Sequence, residues 1–515
     1  MGRTCVFGID GACFDLIRPW IEAGELENIR TVVETGVTGD LQSVLPPVTS
    51  PNWKAYATGK NPGKLGIYWW ENVDTKNRRV YYPHNRKSEN KEYWELIAED
   101  APVGVLGVPT TYPPREIGGF YVSGAPDGKN TDYTYPESLE SRLTETYDYQ
   151  VLKNYRLKDY PDQAAEEILD LIDDRFTVAF DLAEEFDVSF LQVTTFYVNS
   201  LHHFFWDDET TLEAWQRIDE YVGKALDSWD NVVMMSDHGS NPIETVFHVN
   251  TWLEESGYLH LDTRRGTLHK VGITTDRLVR IASRLGLKNI AQRVTPDWIV
   301  NRIPNEHGEL KREQKTAAID WDRSTAVASG QGPVYLVDDD SEDSALSRDD
   351  LIAELEELVD LNGDEVARDV VRGESEYSGR YLGEAPDIVI DQSAGVHIPG
   401  NIGGDEVFGG EGNRWKAENK RSGLFAATGS DFAEGTIENI SILDLAPTLL
   451  HLHGRPVPEE MDGNVRTKLF ASGSEPAERA VELESNSARE REKQRIRSVA
   501  ADLSPTDIRG PRGGQ

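Results

Sequence analysis

The chain has 515 residues, of which 90 are acidic and 53 are basic, and its formal net charge is −37 at pH 7. This charge argues against a nucleic acid polymer as a partner, because a phosphate backbone binds to positive surface. The acidic residues are spread along the chain, which is typical of a solvated surface that a salt-rich cytoplasm would screen, and we interpret the source as halophilic. An ordinary acidic soluble protein is the alternative.

Targeting signals are not evident. No apolar run approaches the roughly 20 residues that a membrane-spanning helix needs, so we expect no membrane span. The first apolar run begins at about residue 4, which leaves no room for a signal peptide. The two cysteines, Cys5 and Cys13, do not suggest a disulfide framework. We therefore expect a soluble, cytoplasmic protein.

Short apolar runs predict strands that alternate with helical patterns. In chain order these runs are Thr4–Ile9, 103–108, 188–193, 232–235, 334–337, 387–390 and 424–427. The clearest helix is predicted over 162–185, where apolar residues recur at helical spacing. Such alternation predicts an α/β fold with a mostly parallel sheet that is covered by helices on both faces.

Two candidate functional groups lie early in the chain. The first predicted strand ends at Asp10, which places a carboxylate at the end of a strand. Further on, two adjacent prolines hold the chain extended, and Pro51 is well placed to begin a helix. Thr49 then lies just before a helix N-terminus, where backbone N–H groups favour an anion and a hydroxyl can face a phosphate. A helix N-cap is the alternative role for Thr49, and Ser50 competes for either role.

An acid and an imidazole, Asp237 and His238, follow the strand predicted at 232–235. Ligands of open α/β sheets bind at the carboxyl ends of the strands. Asp and His are also ligands of borderline divalent metals. A hydroxyl nucleophile flanked by two Asp and a His suggests metal-activated displacement at phosphorus.

The ordered motifs of this sequence resemble the type I phosphodiesterase/nucleotide pyrophosphatase family of the alkaline phosphatase superfamily. The resemblance runs from the first strand to about residue 470. Its motifs are FGIDG at 7–11, PPVTSPNW at 46–53, TGKNPGKLGI at 58–67, TYPP at 111–114, HFFW at 203–206, SDHG at 236–239, NTWL at 250–253, LDLAPT at 443–448 and MDG at 461–463.

The resemblance implies an alkaline-phosphatase-like three-layer sandwich with an inserted cap. We predict a catalytic domain over 1–259 and 316–471, interrupted by a cap or insertion at 260–315. This segment is the most basic part of the chain, so it would help an anionic substrate to approach; a mixed-charge helical surface is the alternative. Residues 472–515 are predicted to form a charged, partly disordered tail.

The resemblance also implies two divalent metals, Zn²⁺ or Mn²⁺, held against a nucleophilic threonine, which is Thr49 here. The implied ligands of the first metal are Asp10, Thr49, Asp237 and His238, and all four match the family. This match supports a phosphothreonine intermediate formed by attack of Thr49 in line on phosphorus.

The second metal site departs from the family pattern. Its implied ligands are Asn199, His203 and Asn419, where the family has Asp, His and His. An amide oxygen carries no charge, which weakens zinc binding. Three interpretations remain: a loosely held second metal, a rebuilt site, or a protein that runs with one metal or is inactive. The candidates for a rebuilt site are His202, His397 and Asp208.

The remaining histidines have simpler interpretations. His248 and His397 have no motif partner, so we predict structural roles for them. His451 and His453 lie at a predicted helix end, where a cation favours the helix dipole. A core position is the alternative for His203, which is followed by three aromatic residues.

Together these features predict a metal-dependent phosphohydrolase, phosphodiesterase- or nucleotide-pyrophosphatase-like, that acts on a phosphorylated small molecule. The alternatives are a phosphotransferase of the same superfamily and a catalytically impaired anion-binding relative with a degenerate second metal site. A sulfatase is disfavoured because Ser50 lacks the Cys/Ser-x-Pro-x-Arg context of formylglycine formation. The sequence specifies neither the substrate nor the oligomeric state.

Overall fold

The computed structural model describes residues 2–83, 86–261, 315–337, 348–410 and 415–485. The predicted cap at 260–315 therefore lies almost wholly outside the described residues, as does the predicted tail beyond 485. No helix in these described ranges is both long enough and apolar enough to cross a membrane.

The strands are short, and most of them are buried. In chain order they are β1 (Thr4–Ile9), β2 (Val37–Gln42), β3 (Asn72–Asp74), β4 (Arg79–Tyr81), β5 (Val103–Leu106), β6 (Gly119–Val122), β7 (Thr134–Tyr135), β8 (Phe190–Thr195), β9 (Asn231–Met235), β10 (Gly239–Pro242), β11 (Thr245–Phe247), β12 (Ala326–Ala328), β13 (Pro333–Leu336), β14 (Ala367–Arg372), β15 (Ile388–Gln392), β16 (Val396–His397), β17 (Phe408–Gly409), β18 (Ala417–Lys420), β19 (Ser422–Gly429), β20 (Gly435–Thr436), β21 (Ile440–Ser441), β22 (Val457–Pro458) and β23 (Leu483–Glu484).

The helices fall between the strands as the periodicity predicts. They are α1 (Phe14–Ala23), α2 (Glu27–Thr35), α3 (Thr49–Thr58), α4 (Pro62–Leu65), α5 (Tyr93–Ile97), α6 (Ser138–Tyr147), α7 (Pro161–Glu185), α8 (Tyr197–Phe205), α9 (Glu209–Ser228), α10 (Val249–Glu255), α11 (Arg348–Glu356), α12 (Gly373–Glu376), α13 (Ile442–Leu452) and α14 (Glu475–Glu478). The helix predicted over 162–185 is α7, which begins one residue earlier.

A central sheet of ten strands organises the molecule. Nine of them run in the order β20-β2-β19-β9-β1-β8-β5-β6-β7, and β21 also pairs with β2. Strands β6, β5, β8, β1 and β9 are mutually parallel, whereas β19 is antiparallel to both β9 and β2, and β7 is antiparallel to β6. The predicted mostly parallel sheet is confirmed.

Helices cover both faces of this sheet, because alternate residues of its strands point to opposite sides. In β1, Cys5 and Phe7 pack in one core and Val6 packs in the other. The first core includes residues of α1, α2, α7, α8 and α9. The second core includes residues of α3, α5 and α13. The result is the three-layer sandwich that the family resemblance implies.

Two predicted strands do not belong to the central sheet. The runs at 334–337 and 387–390 form β13 and β15 of a separate sheet, in the order β12-β13-β15-β14, in which all pairs are antiparallel. This sheet shares a third apolar core with α10. Their assignment to the parallel sheet is wrong because a fully buried antiparallel strand has the same continuous apolar run as a parallel one.

Helix α3 is anchored to its core by a buried ion pair. Lys54 Nζ donates to Glu92 Oε1 at 2.6 Å, and both side chains are essentially inaccessible to solvent. The other oxygen of Glu92 accepts from Tyr121 Oη at 2.6 Å and from Trp94 Nε1 at 3.0 Å. Burial disfavours the charge on Glu92, but Lys54 and Arg115 outweigh it and keep its pKa below the usual value.

Replacing Lys54 with methionine should destabilise the protein by about 3–5 kcal/mol, because it leaves the Glu92 carboxylate buried without its cation. Chemical denaturation followed by tryptophan fluorescence measures the change. Lys91→Met is the matched control, since it breaks an exposed ion pair with Glu99 and should cost less than about 1 kcal/mol. Equal losses in the two variants would contradict this interpretation of the buried pair.

Candidate active site

Asp10 and Asp237 meet because the strands that precede them are neighbours. Gly8 of β1 pairs with Met235 of β9, so these parallel strands reach the carboxyl edge of the sheet side by side. Asp10 follows β1 directly, and Asp237 follows β9 after one intervening residue. His238 continues the same turn before β10 begins. This edge is where ligands bind in open α/β sheets.

Four groups converge there. His238 Nε2 lies 3.3 Å from Thr49 Oγ1, 3.2 Å from Asp237 Oδ2 and 3.8 Å from Asp10 Oδ1. All four side chains are buried, with Thr49 the most exposed at 5%. The structure thus brings together Asp10, Thr49, Asp237 and His238 from widely separated parts of the chain.

The turn between Asp10 and α1 must be tight for this convergence. Gly11 has a φ of +70°, and a Cβ built there would lie 2.2 Å from Asn199 Oδ1. Its N–H donates to Asp237 Oδ1 at 3.2 Å. Only glycine allows both the left-handed backbone and the close approach of Asn199.

The electrostatics of the cluster are unfavourable without a cation. Burial raises the pKa of Asp10 to about 7, although Trp53, Asn199 and Thr49 donate hydrogen bonds that lower it. Burial, reinforced by the charge of Asp10, raises the pKa of Asp237 well above its usual value. Burial also lowers the pKa of His238 to about 3, so this imidazole is neutral.

The unused atoms of the cluster match a divalent metal. Asp10 Oδ1 and Asp237 Oδ2 are buried and have no hydrogen-bond partner. His238 Nδ1 lies 3.0 Å from the carbonyl of Gly239, which can only accept, so Nδ1 carries the proton and Nε2 presents a lone pair. One nitrogen and two carboxylate oxygens within 4.8 Å of one another suit a borderline divalent ion.

Thr49 reaches this cluster from the first turn of α3. The helix begins at Thr49 itself, with Val48 as its N-cap, rather than at Pro51 as the sequence predicts. Pro51 is therefore the third residue of the helix, where its missing N–H is still tolerated. The N-cap alternative for Thr49 is wrong, because Val48 occupies the N-cap position and the hydroxyl of Thr49 contacts His238 instead. Ser50 Oγ is buried and has no partner.

A cavity of about 320 Å³ opens beside Thr49. Helix α8 presents Asn199 and His203 to it from the same face, one turn apart, and β18 presents Asn419. Strand β18 reaches this place because it pairs with β10, where Ser240 faces Asn419. The tandem Trp69 and Trp70 also line the cavity.

A family model described as type I phosphodiesterase / nucleotide pyrophosphatase matches residues 4–422. The chain belongs to this family. Its members are phosphoric ester and anhydride hydrolases of the alkaline phosphatase superfamily, and they typically depend on divalent metals. The predicted family and enzyme class are confirmed.

Solved structures agree with the fold. Phosphonoacetate hydrolase from Sinorhizobium meliloti 1021 in complex with phosphonoformate is similar with a TM-score of 0.54 and 13% sequence identity, over 86% of this chain and 93% of that chain. The same enzyme in complex with phosphonoacetate gives a TM-score of 0.53 and 13% identity over the same shares. At 13% identity the likeness to these solved structures extends to the fold alone. A search of curated proteins found no match.

The second metal site of the phosphodiesterase family does not fit the residues present. Asn199 donates a hydrogen bond to Asp10, and its Oδ1 lies 3.2 Å from Ser240 Oγ. Asn419 Nδ2 donates to Pro47 O at 3.0 Å, and its Oδ1 is buried without a partner. One imidazole and one neutral oxygen offer no charge to a divalent ion, so Asn199 supports the first cluster rather than a second ion.

Two of the candidates for a rebuilt site are otherwise engaged. His202 is fully buried and its Nε2 accepts from Trp215 Nε1 at 3.1 Å. Burial lowers the pKa of His202 to about 3. Asp208 caps α9, where Oδ1 accepts from the N–H of Thr210 at 3.0 Å. Neither side chain lines the cavity.

Sequence reasoning missed one buried acid of the cavity wall. Glu418 precedes Asn419 in β18 and contacts His397, for which the sequence predicts a structural role. Both residues line the cavity beside Thr49, so His397 lies close to the residues of the implied second metal site, as its place among the rebuilt-site candidates predicts. Nothing in the sequence around Glu418 indicates its position, because it becomes buried only through the pairing of β18 with β10.

Of the two late histidines, His453 differs from expectation. His453 is buried at the end of α13, with Nε2 3.1 Å from Thr4 Oγ1. Burial lowers its pKa to about 4, so it is not the cation that the helix-dipole interpretation requires. His451 Nε2 lies 2.8 Å from the carbonyl of Pro476, so it links α13 to α14.

Proposed function

We propose that this protein is a metal-dependent phosphodiesterase or nucleotide-pyrophosphatase-like hydrolase that acts through a phosphothreonine at position 49. The observation that carries the proposal is the position of Thr49 Oγ1, 3.3 Å from His238 Nε2. The same cluster contains two buried carboxylate oxygens without hydrogen-bond partners, on Asp10 and Asp237. A hydroxyl at such a place is suited to become a nucleophile.

Asp10, Asp237 and His238, together with Thr49, would hold one divalent ion, Zn²⁺ or Mn²⁺. When bound, such an ion supplies positive charge that lowers the pKa of an adjacent hydroxyl and neutralises the two carboxylates. The buried position of the cluster strengthens this interaction, since water does not screen it.

The residues of the chain then carry out the displacement. The deprotonated Thr49 oxygen forms a bond to phosphorus while the bond from phosphorus to the leaving oxygen breaks. Backbone N–H groups in the first turn of α3 are available to phosphoryl oxygens, because that turn has no side-chain cap. Water then attacks phosphorus and gives up one proton, which replaces the proton taken up by the first leaving oxygen, the bond to the Thr49 oxygen breaks, and the phosphorylated product leaves.

The cavity supports a small-molecule substrate. Its volume of about 320 Å³ lies at the lower end of the range for ligand pockets. Aromatic side chains of Trp69, Trp70, Phe196 and Trp415 line it, and they suit an apolar or planar group attached to the phosphate. We propose a phosphorylated small molecule with such a group.

Acid quenching during turnover tests this proposal. The metal-loaded protein should hydrolyse bis(p-nitrophenyl) phosphate, and peptide mass spectrometry of the quenched enzyme should find the phosphoryl group on Thr49. Turnover without modification at that residue would exclude the covalent route. A protein without turnover at any metal loading would instead be the anion-binding relative.

Metal stoichiometry tests the one-metal form of the proposal. Purified protein that is saturated with zinc and then desalted should retain one ion per chain. The double variant Asn199→Asp, Asn419→His should retain two ions, because the two changes restore a charged ligand and an imidazole. Asn401→Asp adds the same charge at an exposed loop position and should leave the count at one. Two ions in the unchanged protein would contradict our interpretation of the second site.

A further inference from the structure

The Glu418 carboxylate is fully engaged by donors. Its Oε1 accepts from Gln331 Nε2 and from the N–H of Asn419, each at 2.8 Å. Its Oε2 accepts from Trp415 Nε1 at 3.1 Å and contacts His397 Nδ1. The side chain is 2% exposed. A carboxylate that accepts three hydrogen bonds and also contacts an imidazole holds its neighbours in place and has little capacity left for a metal ion.

His397 is one of the side-chain partners of Glu418 that line the cavity, with Gln331 and Trp415. Its side chain is 23% exposed and lines the same cavity as Thr49. Nδ1 faces this acceptor-only carboxylate, and a side-chain hydrogen bond from His397 is one of the interactions that lower the pKa of Glu418, so we assign the proton to Nδ1 and the role of reactive nitrogen to Nε2. Among the described residues, no hydrogen-bond partner occupies that Nε2.

The surrounding residues are also fixed. Gln331 Oε1 accepts from Trp69 Nε1 at 3.0 Å, so the amide is oriented from both ends. Trp415 stacks on His203 with ring centroids 4.1 Å apart. Such a supported arrangement of an acid and an imidazole is the geometry in which a histidine transfers protons.

We propose that His397, oriented by Glu418, is the catalytic residue that transfers protons to and from the oxygens on phosphorus in the cavity that it lines together with Thr49. Glu418 is the positioning residue. The inference rests on the proposed function. It explains how a chain with uncharged Asn199 and Asn419 could still release a poor leaving group.

The protons balance over the cycle. In the first step the bond from the deprotonated Thr49 oxygen to phosphorus forms, the bond from phosphorus to the leaving oxygen breaks, and that oxygen takes the Nε2 proton of protonated His397. In the second step water attacks phosphorus, gives a proton to His397 Nε2, and the bond to Thr49 oxygen breaks. The enzyme is returned to its starting protonation state.

Leaving-group dependence tests the proposal. In His397→Gln, kcat/KM for methyl phenyl phosphate should fall about 100-fold, within the range of general acid–base catalysis. For methyl p-nitrophenyl phosphate, whose leaving group needs no proton, it should fall only a few-fold. Glu418→Gln should show the same selective loss for the phenyl ester, but a smaller one. If the two residues served only to support the fold, their replacement would lower the rates for both esters equally.

Control variants separate the explanations. His260→Gln changes a histidine of intermediate exposure that does not line the cavity, and it should leave both rates unchanged. Metal content should remain at the unchanged protein's level in His397→Gln. If Glu418→Gln fails to fold, His397→Ala supplies the second readout. Added imidazole should restore part of its rate of hydrolysis of the phenyl ester.

The outcomes are distinct for the two proposals. If hydrolysis of the p-nitrophenyl ester depends on Thr49 but His397→Gln lowers the rates for both esters equally, the role of His397 is overturned. The proposed function then remains intact. A lower metal content in His397→Gln would mean that His397 and Glu418 help to bind a metal, and it would also overturn the proton-transfer role of His397. Absence of turnover in the unchanged protein overturns both.

Discussion

Replacing Thr49 with alanine should lower kcat for a phosphodiester by about 10³-fold or more, because the variant lacks the hydroxyl that lies beside the imidazole of the cluster and that we propose as the nucleophile. Alanine also suits the first turn of α3, so the helix should persist. Steady-state hydrolysis of bis(p-nitrophenyl) phosphate measures the loss. The metal content should remain at one ion per chain, since two carboxylates and His238 are retained.

Ser50→Ala is the matched control for Thr49→Ala. It removes a hydroxyl of the same helix turn, one residue away, that is buried and makes no hydrogen bond. Turnover should change by no more than a few-fold. If Ser50→Ala were the inactive variant, the nucleophile would be assigned to the wrong hydroxyl.

Asp237→Asn should weaken metal binding by at least about 100-fold. Loss of a residue that only supports a ligand lowers metal affinity by up to about 100-fold, and loss of a charged ligand should cost at least as much. An amide still offers an oxygen but no charge, and the remaining ligands are Asp10 and His238. Turnover should fall with the metal content. Metal analysis after dialysis measures the effect, and full occupancy of the variant would exclude Asp237 as a ligand.

The same substitution should have the opposite effect on the metal-free fold. Both carboxylates have raised pKa values in the folded protein, so the folded state retains protons that the unfolded state loses near pH 4. The free energy of unfolding therefore falls as the pH rises from about 4 through about 7. Removing one carboxylate should stabilise the metal-free protein at pH 8 by about 2–4 kcal/mol and flatten this dependence.

Asp219→Asn is the control for stability. Asp219 is also buried, but it accepts hydrogen bonds from Asn28 and from the N–H of Ile29 at 2.7 Å. Its replacement should therefore lower stability and leave the metal content unchanged. Thermal melts in the presence of a chelator compare the two variants. A loss of stability in metal-free Asp237→Asn would show that the cluster is not electrostatically strained.

The sequence was sufficient to predict the central sheet and the four groups of the first cluster. Asp10 and Asp237 each follow a short apolar strand, and strands of this kind end at a common edge of a parallel sheet. The family motifs then favoured Thr49 among several hydroxyls, and the structure places it beside His238. These signals are local, because each depends on a few residues on either side of the group.

Features that depend on distant pairing could not be predicted. Glu418 enters the cavity wall because β18 pairs with β10, about 180 residues earlier in the chain. The runs at 334–337 and 387–390 were assigned to the wrong sheet for the same reason: their partners, rather than their composition, decide their orientation. The start of α3 differs by two residues because Val48, which has no polar side chain, serves as the N-cap.

The position of β19 has a consequence for biosynthesis. This strand lies between β2 and β9 and supplies hydrogen bonds to both, yet it is encoded only at Ser422–Gly429. A nascent chain that ends before β19 therefore exposes unpaired edges of β2 and β9, and such edges are sites of intermolecular association. We expect the nascent chain to depend on a chaperone until β19 closes that gap.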